Sequence, residues 1–482
     1  MISLVLILFA LGAWSCAKAP DAAEPTAGRA PGTKPLNIVF ILADDLGWKD
    51  VGFQGSSYPT PNIDRMAREG MVFSHAYAAS PSCSPTRAAI LTGKHPARLR
   101  ITRAIRNEDY LAARAPPKKP GASPHFRCLP VETRTFLPEG EPTLATRLAE
   151  SGWDTGFVGK WHLGEHDHFP AQYGFAHTAA IGATSAAPYF PPYRVQGLSR
   201  KRPTGYLTDV LSDEALLFLR RPREGPFFLF LAQYAVHGPL RGKPELVRRF
   251  EQELDPDSPQ SNAVYAAMIE SLDEGVGQIL ATLDELGLAE DTVVVFTSDN
   301  GPTLAEDGPV TTVAPMRGGK LDFYEGGLRV PLVVRWKGHV TAGARCDVPV
   351  TSMDFFPTLL SLCGIESQEG DAPDGLDVST LLSGGQTPPR DLYFYMPHRE
   401  PGAAVLAGTE KLVHTFSGPS ELYDLAADPG ETKDLAAQEP ARVAELERRL
   451  LAWVTSVGAE IPAPNPNYDG RPLRARDVDE KE

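Results

Sequence analysis

The densest chemistry in the chain lies in Cys83-Ser84-Pro85-Thr86-Arg87, which runs on through Leu91-Thr92-Gly93-Lys94. Pro85 suits the first turn of a helix and Gly93 its end. Cys83 then stands at or just before a helix amino terminus, where free backbone N–H groups and the helix dipole favour an anion. Arg87, one turn further on, adds a fixed positive charge. Four other polar groups each follow a short apolar run: Asp44-Asp45, Lys160 with His162, His237, and Asp299-Asn300. Asp44, Asp45, Asp299 and Asn300 offer only oxygen donors, a set that suits a hard divalent cation rather than zinc. Adjacent aspartates aimed at one spot would repel each other without a cation. The imidazoles can exchange protons near neutral pH, and the ammonium groups can neutralise an oxyanion. Taken singly, each group has a structural reading. Asp44-Asp45 could cap a helix, Asp299-Asn300-Gly301 could be a turn, and Cys83 and His237 could be core residues.

The elements that must position these groups alternate. Asn37–Leu42, Gly156–Val158, Phe227–Leu231, Thr292–Thr297 and Val330–Trp336 are short apolar runs without polar alternation, the pattern of strands covered on both faces. Between them, Val264, Met268, Leu272, Val276, Ile279 and Leu283 recur every three to four residues and predict one long helix. Strands alternating with helices predict an α/β fold, a doubly wound and mostly parallel sheet. Four of the strands would deliver their polar groups at their carboxyl ends, the edge where open α/β sheets bind ligands. From about Arg390 the texture changes. Leu392–Tyr395, Ala403–Leu406, Lys411–Phe416 and Glu421–Asp424 read as short antiparallel strands, followed by a helix from Ala441 to Ser456: a small α+β appendage.

The Cys83 string resembles the sulfatase signature, Cys/Ser-x-Pro-Ser/Thr-Arg followed by three residues and Leu-Thr-Gly. The resemblance extends along most of the chain. Asn37 to Gly47 looks like that family's opening strand and metal-binding pair, and Thr60-Pro61-Asn62-Ile63-Asp64 like its next turn. Gly159-Lys160-Trp161-His162-Leu163-Gly164 is similar to its second signature, and Ser298-Asp299-Asn300-Gly301 to its second metal segment. Arg317-Gly318-Gly319-Lys320 with Tyr324 to Pro331 resembles its sulfate-lysine segment; here Leu321-Asp322 follow the lysine where small residues are common. Glu421 to Leu425 and Asp428 to Glu431 look like its carboxy-terminal subdomain.

The resemblance implies an alkaline-phosphatase-like fold and hydrolysis of sulfate esters, of a sulfated carbohydrate or an aryl sulfate. It implies that Cys83 is oxidised to formylglycine by a formylglycine-generating or sulfatase-maturating enzyme. Asp44, Asp45, Asp299, Asn300 and position 83 would hold Ca²⁺, with Mg²⁺ the less fitting ion. One hydroxyl of the hydrated aldehyde, polarised by the cation and Arg87 and activated by Asp299, would attack sulfur. His237 or Lys320 would protonate the leaving oxygen, and His162 would take the proton from the second hydroxyl as sulfate departs. Lys160 and Lys320 would neutralise sulfate oxygens, with Lys160, His237 and Lys320 contacting substrate. The rivals are a phosphonate monoester or phosphodiester hydrolase of the same superfamily, and an inactive glycan-binding protein.

The remaining features bound the setting. A formal net charge of −14 over 482 residues argues against a general nucleic-acid binder. Ile2 to Trp14 is apolar, too short to span a bilayer comfortably, and suits a secretory signal. Export to the periplasm is expected, by cleavage at Ala17-Lys18-Ala19 or with Cys16 lipidated and the protein anchored to membrane. Residues 1–19 read as this signal, 20–35 as a linker, 36–385 as the catalytic domain and 386–482 as the carboxy-terminal subdomain and tail. Residues 98–134 carry nine basic residues, among them Arg98, Arg100, Arg103 and Arg106, against three acidic ones. That stretch reads either as a solvated loop or as a wall receiving a polyanionic sugar. Tyr173 and Tyr206 read as packing or rim residues, and Asp273 as a solvated or capping residue.

Overall fold

The computed structural model describes residues 35–106, 124, 126–182, 187–199, 204–304, 310–398 and 401–471. The signal and linker readings, Cys16 included, lie outside these residues, as does the middle of the basic stretch. The strands are β1 (Asn37–Ala43), β2 (Met71–Phe73), β3 (Ala76–Tyr77), β4 (Asp154–Lys160), β5 (His177–Gly182), β6 (Phe227–Ala232), β7 (Thr292–Ser298), β8 (Leu332–Arg335), β9 (Ala344–Cys346), β10 (Val350–Thr351), β11 (Leu392–Met396), β12 (Gly402–Ala407), β13 (Glu410–Thr415) and β14 (Glu421–Asp424). The helices that matter most to the site are α1 (Pro61–Glu69), α2 (Cys83–Thr92), α3 (Leu207–Leu219), α4 (Ala263–Glu285), α5 (Phe355–Leu362) and α6 (Pro440–Ser456).

Eight strands form the central sheet in the order β5-β4-β6-β1-β7-β8-β2-β9. The five from β5 to β7 are parallel; β8 runs antiparallel to both of its neighbours. The sheet is mixed but mostly parallel, with helices on both faces. Side chains of a strand alternate between faces, and β1 shows both covers. Ile38, Phe40 and Leu42 pack in one core with α2 and α5. Val39 and Ile41 pack in the other with α1, α3 and α4. Within α4, Met268, Leu272, Val276, Ile279 and Leu283 are buried as the stripe predicts. Among the described residues no helix is long and apolar enough to cross a membrane.

Strands β11–β14 form a separate antiparallel sheet. Leu392, Phe394 and Met396 face the segment that carries Phe323 and Leu328. The opposite face of that sheet, with Tyr395, Val405 and Leu412, is covered by α6. Polar groups lock this sheet to the first. Lys411, fully buried, lies 3.1 Å from Glu325 Oε1 and 2.8 Å from Glu431 Oε1. Glu431 Oε2 accepts the Glu325 amide at 2.7 Å. Arg317 stacks on Tyr324, 3.8 Å from its ring centre, and donates to Tyr423 Oη at 3.0 Å. The stretch around Lys320 is thereby held by the carboxy-terminal sheet.

Candidate active site

The backbone alone explains why distant segments meet. In β1 and β7, Ala43 lies opposite Ser298, so Asp44 and Asp299 emerge side by side at the carboxyl edge. The Asp45 amide donates to Asp299 Oδ1 at 3.2 Å, and that of Leu46 to Ser298 Oγ at 3.0 Å. Asp45 takes a left-handed φ of 58°, a conformation that aspartate tolerates better than most residues. Beyond β6 the chain keeps pairing with this edge: Asp44 donates to Ala235 O at 2.9 Å, and Val236 to Asp44 O at 2.7 Å. That run carries His237 to the edge. Lys160 is the last residue of β4.

Cys83 opens α2, as its string predicts, with its thiol 3.5 Å from Asp44 Oδ1 and 3.8 Å from Asp45 Oδ1. Arg87, one turn on, places Nε and Nη2 each 2.8 Å from Asp299 Oδ2, and donates from Nη1 to Lys160 O at 2.8 Å. Its Nη2 is also 3.7 Å from Asp44 Oδ1. Lys160 Nζ lies 2.5 Å from Asp44 Oδ2. Lys320 Nζ lies 2.8 Å from Asp45 Oδ1 and 2.9 Å from its Oδ2. His237 Nε2 faces Asp45 Oδ2 at 3.7 Å, while its Nδ1 donates to Gly238 O at 2.6 Å. His162 bonds Ile105 O through Nε2 at 2.7 Å, and its Nδ1 is buried without a partner. All ten positions read from the sequence therefore converge: Asp44, Asp45, Cys83, Arg87, Lys160, His162, His237, Asp299, Asn300 and Lys320. Only His237 and Lys320 keep appreciable exposure, 18% and 14% of their side chains, so the pocket opens past them.

The electrostatics follow from burial and close charges. Burial alone would raise Asp45, but Lys320, His237 and Lys160 outweigh it and hold the carboxyl well below its usual range. Asp299 is pushed up by burial and by the charge of Asp44, against the pull of Arg87. Burial, then the charge on Lys320, push His237 down to about 3. Burial with Lys160 and Arg87 pushes His162 down as well. Burial with Asp299 raises the Cys83 thiol, so these surroundings do not make a thiolate.

The residues fit a hard cation. Asn300 donates from Nδ2 to Asp45 Oδ1 at 2.7 Å, and its Oδ1 is buried with no donor. An orphaned carbonyl beside three buried carboxylates is a cation's place. Ligand-capable atoms of Asp44, Asp45, Cys83 and His237 lie within 4.8 Å of one another, which brings His237 nearer the ligand cluster than its reading as a leaving-group contact implies.

The structure also places the other residues read from the sequence. Arg98 does not face the pocket; it grips Asp374 with Nε and Nη2 at 2.9 and 2.8 Å. Arg106 follows Ile105, the partner of His162, and Arg103 lies two residues before it. Asp273 caps rather than ligates, but it is buried, not solvated: it accepts the amides of Asn62 and Ile63 at the start of α1. Tyr173 and Tyr206 are buried packing residues whose hydroxyls donate to Leu137 O and Arg241 O. Leu321 donates its amide to Pro81 O at 2.9 Å, tying the Lys320 turn to the loop before Cys83. Two contributors escaped sequence reasoning. Thr303 donates to Asp45 Oδ2 at 3.2 Å; its position three residues after Asn300 was the available signal. Asp50 backs the Asp45 turn, accepting from Gly47 N and Tyr265 Oη at 2.8 Å each, and burial pushes it up to about 6.

Comparison with known proteins places this geometry. Residues 36–365 match the family model described as Sulfatase, and residues 319–456 match that described as N-sulphoglucosamine sulphohydrolase, C-terminal. N-acetylgalactosamine-6-sulfatase of Mus musculus is 34% identical over 384 residues, covering 75% of this chain and 69% of that one. Arylsulfatase A of Homo sapiens is 30% identical over 475 residues, covering 89% and 86%. The crystal structure of Ps i-CgsB in complex with k-i-k-neocarrahexaose superposes with a TM-score of 0.74 at 29% identity, covering 87% of this chain and 93% of that one.

Proposed function

The chain belongs to the sulfatase family of sulfuric ester hydrolases, and on that premise we propose that it hydrolyses sulfate esters of a carbohydrate through a formylglycine at position 83 beside a bound Ca²⁺. The observation that carries this reading is the meeting of Cys83, Asp44 and Arg87 at one buried point, with Lys160 and Lys320 on the adjoining carboxylates. The carbohydrate class draws support from relatives: one is an N-acetylgalactosamine-6-sulfatase, and another binds a neocarrahexaose.

Asp44, Asp45, Asp299 and Asn300 would hold the Ca²⁺, which when bound would supply Lewis acidity beside position 83. The hydrated aldehyde supplies a nucleophilic hydroxyl and a second hydroxyl through which sulfate can be expelled. The chain's own residues do the rest. Arg87 fixes Asp299 with two nitrogens on one oxygen, leaving that carboxylate oriented as the base at the nucleophile. Lys160 and Lys320 are paired with Asp44 and Asp45. With those carboxylates turned to a bound cation, the ammonium charges would be available to the sulfate oxygens. His237 and Lys320 stand at the mouth, where the leaving oxygen departs and takes its proton. His162 keeps Nδ1 bare in the buried wall, ready to accept the proton released with sulfate.

The region preceding the described residues supports export, with Ile2 to Trp14 as the signal and either Ala19 or Cys16 marking its end. The functional reading is tested by maturing the protein with a formylglycine-generating enzyme and comparing kcat/KM on matched sulfate and phosphonate esters, then on defined sulfated saccharides. Sulfate release in excess of phosphonate cleavage is expected. Preference for the phosphonate, or no turnover by fully converted protein, would overturn it.

A further inference from the structure

Ser84 occupies the signature's variable position and has no assigned part in the chemistry. It is fully buried on the first turn of α2. Its hydroxyl donates to the carbonyl of His162 at 2.8 Å and accepts the amide of Ile105 at 3.0 Å. The Ile105 carbonyl in turn accepts from His162 Nε2 at 2.7 Å. Ser84, Ile105 and His162 thus close a three-membered hydrogen-bond ring, sealed from water. His162 needs such a hold, because it takes a left-handed φ of 58°, a conformation uncommon outside glycine.

The ring also settles which nitrogen carries the proton. A carbonyl only accepts, so Nε2 must be the protonated nitrogen, and Nδ1 is left as a buried lone pair without a partner. We propose that Ser84 is a positioning residue for His162: through Ile105 it sets the imidazole's orientation and tautomer so that Nδ1 serves the sulfate-release step. This rests on the functional reading above, in which His162 acts after the S–O bond has broken.

The kinetic consequence is specific. Slowing only the second step of a two-step hydrolysis lowers kcat and KM in the same proportion and leaves kcat/KM unchanged, whereas loss of active protein lowers kcat alone. In Ser84→Ala, with rates normalised to the formylglycine content measured by mass, kcat and KM should fall together by roughly a hundredfold, the lower end of the range that general acid–base catalysis contributes. Leaving-group release should become a burst followed by slow sulfate release. In a His162→Ala background the same change should have no further kinetic effect, since there is no imidazole left to position. Independently of turnover, ¹⁵N spectra of histidine-labelled, unmodified protein should show His162 fixed as the Nε2–H tautomer, and that signature should be lost in Ser84→Ala. An unchanged tautomer, a fall in kcat with KM constant, or an undiminished effect without His162 overturns the assignment. Absence of all sulfate ester hydrolysis would instead overturn the functional reading on which it rests, while the spectra still decide the hydrogen-bond ring.

Discussion

Arg87 Nε and Nη2 converge on one oxygen of Asp299, Oδ2, each at 2.8 Å. The other oxygen, Oδ1, takes the Asp45 amide. One guanidinium thus orients, from helix α2, the carboxylate that follows β7, while its Nη1 holds the carbonyl of Lys160 at the end of β4. A lysine offers a single point charge and cannot make this fork, Nε on the carboxylate and Nη1 on the carbonyl. Arg87→Lys is expected to lower kcat by about 10²–10³, the scale of losing an oriented electrostatic contact. Arg87→Ala, which strands a buried carboxylate, should cost about 3–5 kcal/mol in urea unfolding. Wild-type activity in Arg87→Lys would show that the fork is not needed.

Lys411 is the buried cation between Glu325 and Glu431. Removing it leaves two carboxylates in a dry interface, with Arg329 3.3 Å from Glu325. Lys411→Met should lose about 3–5 kcal/mol of stability. Part of that loss should return in Lys411→Met/Glu431→Gln, which removes one stranded charge. Lys320 lies in the stretch held by this cluster, so activity should fall in the same order. Chemical unfolding and turnover measured on the same samples check both.

Much of this fold and site is legible in the sequence alone. Asp44 and Asp299 could be paired because parallel strands of one sheet end at one edge. Cys83 and Arg87 could be paired because four residues make one helical turn. The carboxy-terminal strands could be read from the change to short apolar runs after Arg390, and the structure places Leu392, Phe394 and Met396 on one face and Tyr395 on the other. What stayed hidden were polar partners far apart in sequence. Nothing near Asp273 says that it caps α1 at Asn62, 211 residues earlier. Arg98 reads as a free basic side chain until Asp374 is folded against it. Ser84 looks like a spacer, because its partners come from two other loops. Periodicity reports which face of an element is buried; it carries no information on which buried polar groups meet.

His95 joins the end of the signature helix to the carboxy-terminal sheet. Its Nδ1 accepts from the Ala97 amide at 3.1 Å, and its Nε2 donates to Tyr393 O at 3.1 Å. Burial, reinforced by Arg98 and opposed by Asp374, pushes it from 6.5 down to about 4. Between those values the unfolded chain binds a proton that the folded one does not, so stability rises with pH across the window and is lost as pH falls through it. The full contribution is about 3 kcal/mol. His95→Gln, which can keep the donor to Tyr393 and cannot titrate, should show a flatter dependence of melting temperature on pH in that window. Parallel curves for the two proteins would contradict this.

Three buried carboxylates and the unsatisfied Asn300 carbonyl form a candidate cation site, and the proposed function has it occupied. Chelation of the mature protein should lower its melting temperature and abolish turnover. An ion held at 100 times its Kd stabilises by about 2.7 kcal/mol. Ca²⁺ should restore both properties better than Mg²⁺, and Asn300→Ala should need more of either ion. Unchanged melting and turnover after exhaustive chelation would remove the cation from the site.

The most direct measurement follows heavy oxygen. Protein with position 83 fully converted to formylglycine is given a sulfated saccharide in water enriched in oxygen-18. Attack on sulfur by a group anchored at position 83 breaks the S–O bond, so the label should enter the released sulfate and never the sugar hydroxyl, and Cys83→Ala should release no sulfate. Label in the sugar, or sulfate release undiminished in Cys83→Ala, would contradict it.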